Sequence, residues 1–187
     1  MERRYQGISD LPLNSKGIRQ ARKVATALRS YRPTRLYTST LQRARQTAKE
    51  VAARFRLRAV ADSRLNEIDF GKWEGAFYQR LAKDGGVHFR RWRQGKIRKP
   101  PGGESIDSLS RRISSFLREI LRRHRDETVA VISHAGPIKT FFFKILKSGH
   151  ASIWSFRIDP ASISLIEGNS SLLQIIWINR TDHLNSR

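Results

Sequence analysis

The sequence has 187 residues, 39% of them hydrophobic, 28% charged and none cysteine. That length and apolar content suit one folded domain and exclude a disordered chain, while the missing thiols exclude disulfides, cysteine nucleophiles and cysteine zinc sites. The formal charge of +21 attracts anions such as phosphorylated metabolites, nucleic acid or anionic lipid, and bears on partners and solubility rather than on fold. The basic residues are spread along the whole chain, as on a solvated surface. Thr140–Leu146 is too short an apolar run to span a membrane, and the opening MERRYQG has no signal-peptide stretch. A cytoplasmic protein with no membrane partner is the expectation.

Residues 1–14 read as a loop, with Gly7, Pro12 and Asn14 as turn signals. A helix is predicted over Ser15–Arg29, where Ile18, Ala21, Ala25 and Leu28 share one face. Leu36–Ser39 is a short strand, Thr40–Phe55 a second amphipathic helix and Leu57–Val60 a further strand. Residues 66–103 are rich in glycine and proline and read as an insertion, over about 71–103, with one short helix near Tyr78–Lys83. Ser105 is the expected N-cap of the next helix, with Asp107 in its first turn and Leu109, Ile113, Phe116, Leu117, Ile120 and Leu121 inward. Thr128–Ser133 is the near-continuous β-branched run of a strand buried on both faces of a parallel sheet. A helix from Pro137 through Lys147 follows. Ser162–Ile166 and Leu172–Ile178 suggest an antiparallel hairpin, and Thr181–Arg187 a frayed tail. Alternating strands and helices imply a three-layer α/β/α fold with a mostly parallel sheet, whose ligands bind beyond the carboxyl ends of the strands.

Three polar clusters fall at strand ends. Ser39-Thr40-Leu41-Gln42-Arg43-Ala44 opens a helix with free N–H groups and an arginine, which suits an anion, although many helices carry a first-turn arginine. Leu65–Gly75 (LNEIDFGKWEG) sets carboxylates among apolar residues and glycines; Glu67 there serves either as a general acid of raised pKa or as an ordinary partner of one of the arginines. His134 directly follows the buried strand, at a helix start facing the expected ligand site, and fits a ligand contact or a structural role equally.

Taken in order, RYQG, D-x-PLN-x-x-G, TSTLQRARQTA, LNEIDFGKWEG, PPGGES and VISHAG resemble the histidine phosphatase (phosphoglycerate-mutase-like) superfamily, from about residue 3 to residue 178. Ile153-Trp154-Ser155-Phe156-Arg157-Ile158-Asp159 is similar to its α-ribazole phosphatase branch. The resemblance implies roles. Arg43 belongs to the phosphate pocket, and Glu67 is the proton donor to the leaving oxygen. His134 is the second pocket histidine, stabilising the transferring phosphoryl group. Arg4, Gln6 and Gly7 border the substrate. Arg43 and His134 are expected within reach of one anion, with Glu67 at the rim. No metal and no cofactor are expected, and the partner is a phosphorylated small molecule. The short stretch between Gly75 and Pro100 favours a phosphatase over a mutase.

The family's nucleophile lies in an arginine-histidine-glycine motif that ends the first central strand, ahead of RYQG. The histidines here are His88, His124, His134, His150 and His183, and none matches it. The expected fold therefore lacks that first central strand, with bare edges on its neighbours. Three readings stand: a phosphatase whose N-terminus is truncated in this sequence, these 187 residues being inactive alone; a pseudophosphatase that binds phosphorylated ligands; and a polyanion or nucleic-acid binder. Against the last, no nucleic-acid motif appears and aromatics are not interleaved with the basic residues.

Overall fold

Three short parallel strands form the frame. The computed structural model describes residues 4–84, 86–148 and 155–185; His150, Ile153, Trp154 and Arg187, named above, lie outside them. β1 (Arg35–Thr38) is central and pairs in parallel with β2 (Ala59–Ala61), Leu36 opposite Ala59, and with β3 (Val129–Ile132), Thr38 opposite Ile132. Parallel neighbours need crossover helices. These are α2 (Gln42–Phe55) between β1 and β2, and α5 (Ile106–Arg123) ahead of β3. α1 (Ser15–Ala27) packs on α2, and its N-cap Asn14 accepts the Gly17 N–H at 2.9 Å.

Alternation along the strands divides two apolar layers. Leu36, Ala130 and Ile132 join Val24, Ala25, Ala48 and Val51 of α1 and α2 on one side of the sheet. Tyr37, Val129 and Val131 meet Leu109, Ile113 and Phe116 of α5 on the other. α5 begins at Ser105, whose Oγ accepts the Ser108 N–H at 3.1 Å. Each fully buried Leu, Ile or Phe on its inner face contributes about 1.5–3 kcal/mol, which makes this helix the main anchor of that layer. The architecture is the three-layer α/β/α arrangement expected.

Three expectations are corrected. β3 is half-exposed along its whole length rather than buried on both faces: among the described residues it pairs with β1 alone, so its outer edge stays open. The hairpin β4 (Ile163–Gly168) and β5 (Leu173–Arg180) is antiparallel as expected and forms a two-stranded sheet of its own. The glycine-rich insertion holds two helices rather than one, because α4 (Gly86–Arg93) follows α3 (Tyr78–Asp84). Its Phe89 and Trp92 are three residues apart, so both face inward and join Trp73, Leu81 and α5 in one core. Residues 182–185 are not frayed: α6 (Ala135–Ile145) and the hairpin are followed by α7 (Asp182–Asn185), held by Lys23 Nζ donating to Leu184 O and by His183 Nε2 at 2.9 Å from Ala161 O.

Candidate active site

The site grows from the carboxyl ends of β1 and β3. Ser39, one residue past β1, continues the pairing by donating its N–H to Ile132 O at 3.0 Å. Its Oγ lies 2.8 Å from His134 Nε2 and 2.8 Å from Asn66 Oδ1. A hydroxyl has one proton, and only Asn66 Oδ1 must accept. The network therefore assigns the Ser39 proton to Asn66 and a protonated Nε2 to His134. Asn66 Oδ1 also accepts the Thr40 N–H and hydroxyl, each at 2.9 Å. α2 begins at Gln42, two residues later than its sequence pattern suggests, with Leu41 in extended conformation as its N-cap. His134 is buried, and its pKa falls to about 3 through desolvation and then the positive charges of Arg43 and Arg112.

Glu67 is not at the rim. It is 7% exposed and locked against the first turn of α6, with Oε1 accepting the Gly136 N–H at 3.0 Å and the Ile68 N–H at 2.9 Å. Gly136 is required at this contact, since a Cβ there would stand 2.2 Å from Glu67 Oε1. Burial raises the Glu67 pKa above the ordinary carboxyl value, opposed by the two N–H donors and by the charges of Arg43 and Arg112. Burial of this kind favours the protonated carboxyl over the carboxylate.

Arg43, in the first turn of α2, reaches back to the N-terminal loop. Nη1 donates to Ser9 O at 2.8 Å and Nη2 to Gly7 O at 2.6 Å. Burial lowers its pKa, while Glu67, Asp10 and Glu74 pull it up. Glu74 builds that loop: it accepts the N–H groups of Gly7, Ile8 and Ser9, the Phe70 N–H, and the Ser9 hydroxyl at 2.6 Å. Several donors on one carboxylate hold its pKa below the ordinary value despite partial burial. Gly7 has no room for a side chain, since a Cβ would lie 2.0 Å from Glu74 Oε1.

The structure thus brings Arg43, Glu67, His134 and Gly7 together. Arg4 faces away: its guanidinium lies 3.6 Å from the Phe77 ring centroid and donates to Gly75 O. Gln6 is half-buried between Arg4 and Gly7. Four residues that matter went unnoticed in the sequence. Ser39, Asn66 and Glu74 stood inside the polar clusters but were assigned nothing. Arg112 had no local signal. It spans Glu104 with two bonds of 2.9 and 2.7 Å and donates to the carbonyls of Arg64, Asn66 and Glu67, thereby fixing the backbone that carries Asn66 and Glu67. Among the described residues no cluster of three or more His, Cys, Asp or Glu is placed to hold a metal, and no helix is long and apolar enough to cross a membrane.

The structure is a three-layer α/β protein in which an arginine, a histidine and a buried carboxyl converge at the ends of parallel strands. The chain belongs to the histidine phosphatase superfamily (branch 1), whose sequence profile matches residues 1–181. It is 34% identical over 186 residues to phosphoserine phosphatase 1 of Hydrogenobacter thermophilus, covering 97% of this chain and 86% of that protein. It is 26% identical to the adenosylcobalamin/alpha-ribazole phosphatase of Escherichia coli, covering 94% and 87%. Longer relatives from Mycobacterium are 36% identical, and the chain spans 51% of their length. In structure it is similar to mycobacterial glucosyl-3-phosphoglycerate phosphatase, with a TM-score of 0.86 at 26% identity over 94% of this chain and 91% of that one.

Proposed function

We propose that this fold hydrolyses phosphomonoesters of small metabolites through a phosphohistidine intermediate. The observation that carries the reading is the convergence of Arg43, His134 and buried Glu67 at the ends of β1 and β3. Arg43 binds a phosphoryl oxygen, and its anchors on Gly7 and Ser9 hold it in one orientation. An entering phosphate dianion reverses the field that suppresses His134 protonation, so imidazolium forms against the transferring group and stabilises it. Glu67 gives its proton to the leaving oxygen, then removes one from the water that hydrolyses the phosphohistidine. Gly7 borders the substrate, with Arg4 and Gln6 on its outer side. The named relatives act on differing esters, so family membership alone leaves the leaving group open.

The nucleophile is the family's arginine-histidine-glycine motif, which has no counterpart among the five histidines of these 187 residues. His134 cannot attack and stabilise the same phosphorus from one position. The 187-residue polypeptide alone is therefore expected to be inactive, since losing a covalent nucleophile commonly costs several orders of magnitude in rate. A second reading is a pseudophosphatase that binds phosphorylated ligands without turnover. The test assays p-nitrophenyl phosphate hydrolysis by the 187-residue form and by a form extended upstream with a strand ending in arginine-histidine-glycine. His134→Ala is made in each. Activity in the extended form alone, lost on His134→Ala, supports hydrolysis. An inactive extended form that binds phosphate supports the pseudophosphatase. Equal, His134-dependent turnover by both forms overturns the account of the nucleophile.

A further inference from the structure

We propose that the cavity between the carboxyl ends of α1 and α2 is a second anion site, separate from the phosphate pocket, that takes a compact polyanion such as a triphosphate. The cavity measures about 490 Å³ and is lined by Arg29, Arg32, Arg54 and Phe55, a size in the range of small-molecule sites. Arg29 lies in the 3-10 helix Leu28–Tyr31 that follows α1, Arg32 caps that helix, and Arg54 lies in the last turn of α2. Arg43 and Arg54 are eleven residues apart on α2, about 17 Å along its axis. β1 starts three residues past Arg32 and ends at the candidate active site, so the cavity occupies the opposite pole of the sheet.

Among the described residues, none of these three guanidiniums hydrogen-bonds a carbonyl or pairs with a carboxylate. An arginine in a last helical turn ordinarily serves the free carbonyls there, and these do not. Glu50, one turn before Arg54, lies instead 3.5 Å from Arg22, and Glu127 is engaged by Arg35 at 3.0 Å. The two helix ends oppose the guanidiniums with about half a negative charge each, which leaves the cavity a surplus of about two positive charges. A singly charged anion does not neutralise that surplus. A compact polyphosphate does, and each guanidinium offers it paired donors. Phe55 supplies a fixed apolar wall, because it also packs against the core cluster that includes Leu36 and Val51.

The experiment follows the amide signals of residues 28–33 and 52–57 of the 187-residue chain by NMR. The probes are inorganic triphosphate, adenosine triphosphate, orthophosphate and an oligothymidine, all without divalent metal. The wild type is compared with Arg32→Gly, Arg54→Gln, Arg43→Gln and Arg56→Gly. Arg32 and Arg56 both end helices at positive φ, 44° and 54°, so glycine fits either backbone. Each glycine variant loses one exposed charge, but of the two only Arg32 lines the cavity. Inorganic triphosphate should shift these signals saturably and bind about tenfold tighter than orthophosphate, and Arg32→Gly and Arg54→Gln should each weaken it about fivefold or more. Arg43→Gln and Arg56→Gly should change it by less than about twofold. Tighter binding of adenosine triphosphate supports a nucleotide lying on Phe55, and equal binding supports recognition of the polyphosphate alone. Absence of a saturable shift at these residues overturns the proposal. An equal loss in Arg32→Gly and Arg56→Gly overturns it as a diffuse field, and a loss in Arg43→Gln alone overturns it as binding at the phosphate pocket. An oligothymidine that binds these residues tighter than triphosphate overturns the compact ligand in favour of a nucleic-acid face.

Discussion

Replacing Arg112 by methionine should destabilise the protein more than any other single change outside the apolar core. The side chain is 19% exposed and its partner Glu104 16%. Methionine keeps much of the aliphatic stem but removes both bonds to Glu104 and the donors to Arg64 O at 2.6 Å, Asn66 O at 2.7 Å and Glu67 O at 3.3 Å. Breaking one partner of a largely buried pair leaves the other charge without compensation and costs about 3–5 kcal/mol. With a urea slope of about 2 kcal/mol/M for a chain of this size, the midpoint should fall by about 1.5–2.5 M. Urea unfolding followed by tryptophan fluorescence measures it, with four tryptophans as reporters. Adding Glu104→Gln removes the stranded charge, and the double variant should recover about 1–2 kcal/mol of the loss. A midpoint shift below about 0.5 M for Arg112→Met, or a double variant no more stable than Arg112→Met alone, would refute the argument that this pair fixes the backbone under the site.

Glu67→Gln should trade function for stability. The folded-state pKa of Glu67 is raised above its ordinary 4.5, so the folded chain binds more protons than the unfolded chain above that pH. Its contribution to stability is fully present below pH 4.5 and is lost as pH rises through the raised value. Glutamine still accepts the Gly136 N–H but never ionises, so denaturation curves should show the variant more stable than wild type at pH 8 and no more stable at pH 4. A variant less stable at pH 8 contradicts a protonated buried carboxyl. Glu74→Gln should loosen the loop that anchors Arg43. It weakens the acceptor of the Gly7, Ile8 and Ser9 N–H groups, at a cost of about 1–3 kcal/mol. Amide exchange at residues 7–9 should accelerate about tenfold or more; unchanged protection there speaks against the role assigned to Glu74.

The elements that could be read from the sequence are those written in local periodicity. α1, α2 and α5 show their inward stripes every three or four residues, and Ser105 marks its helix start by its own chemistry. α4 escaped because Gly85, Gly86 and Gly95 dominate a reading by local preference. Its two inward aromatics, Phe89 and Trp92, are stabilised by packing on Trp73 and α5 rather than by propensity. The open edge of β3 could not come from TVAVIS either, since that run states how apolar a strand is and not which neighbours pair with it.

The same division runs through the site. The sequence by itself determined which residue types stand after the strands, in Arg43, Glu67 and His134, because strand-end chemistry depends on a few adjacent positions. Only the tertiary structure decided that Glu67 is sealed against Gly136, sixty-nine residues away, that Arg4 turns towards Phe77, and that Arg112 holds carbonyls forty-five to forty-eight residues distant. Burial, pKa and the direction of a long side chain are set by whatever the fold packs beside it. Those neighbours come from chain segments whose separation leaves no periodic trace in the sequence.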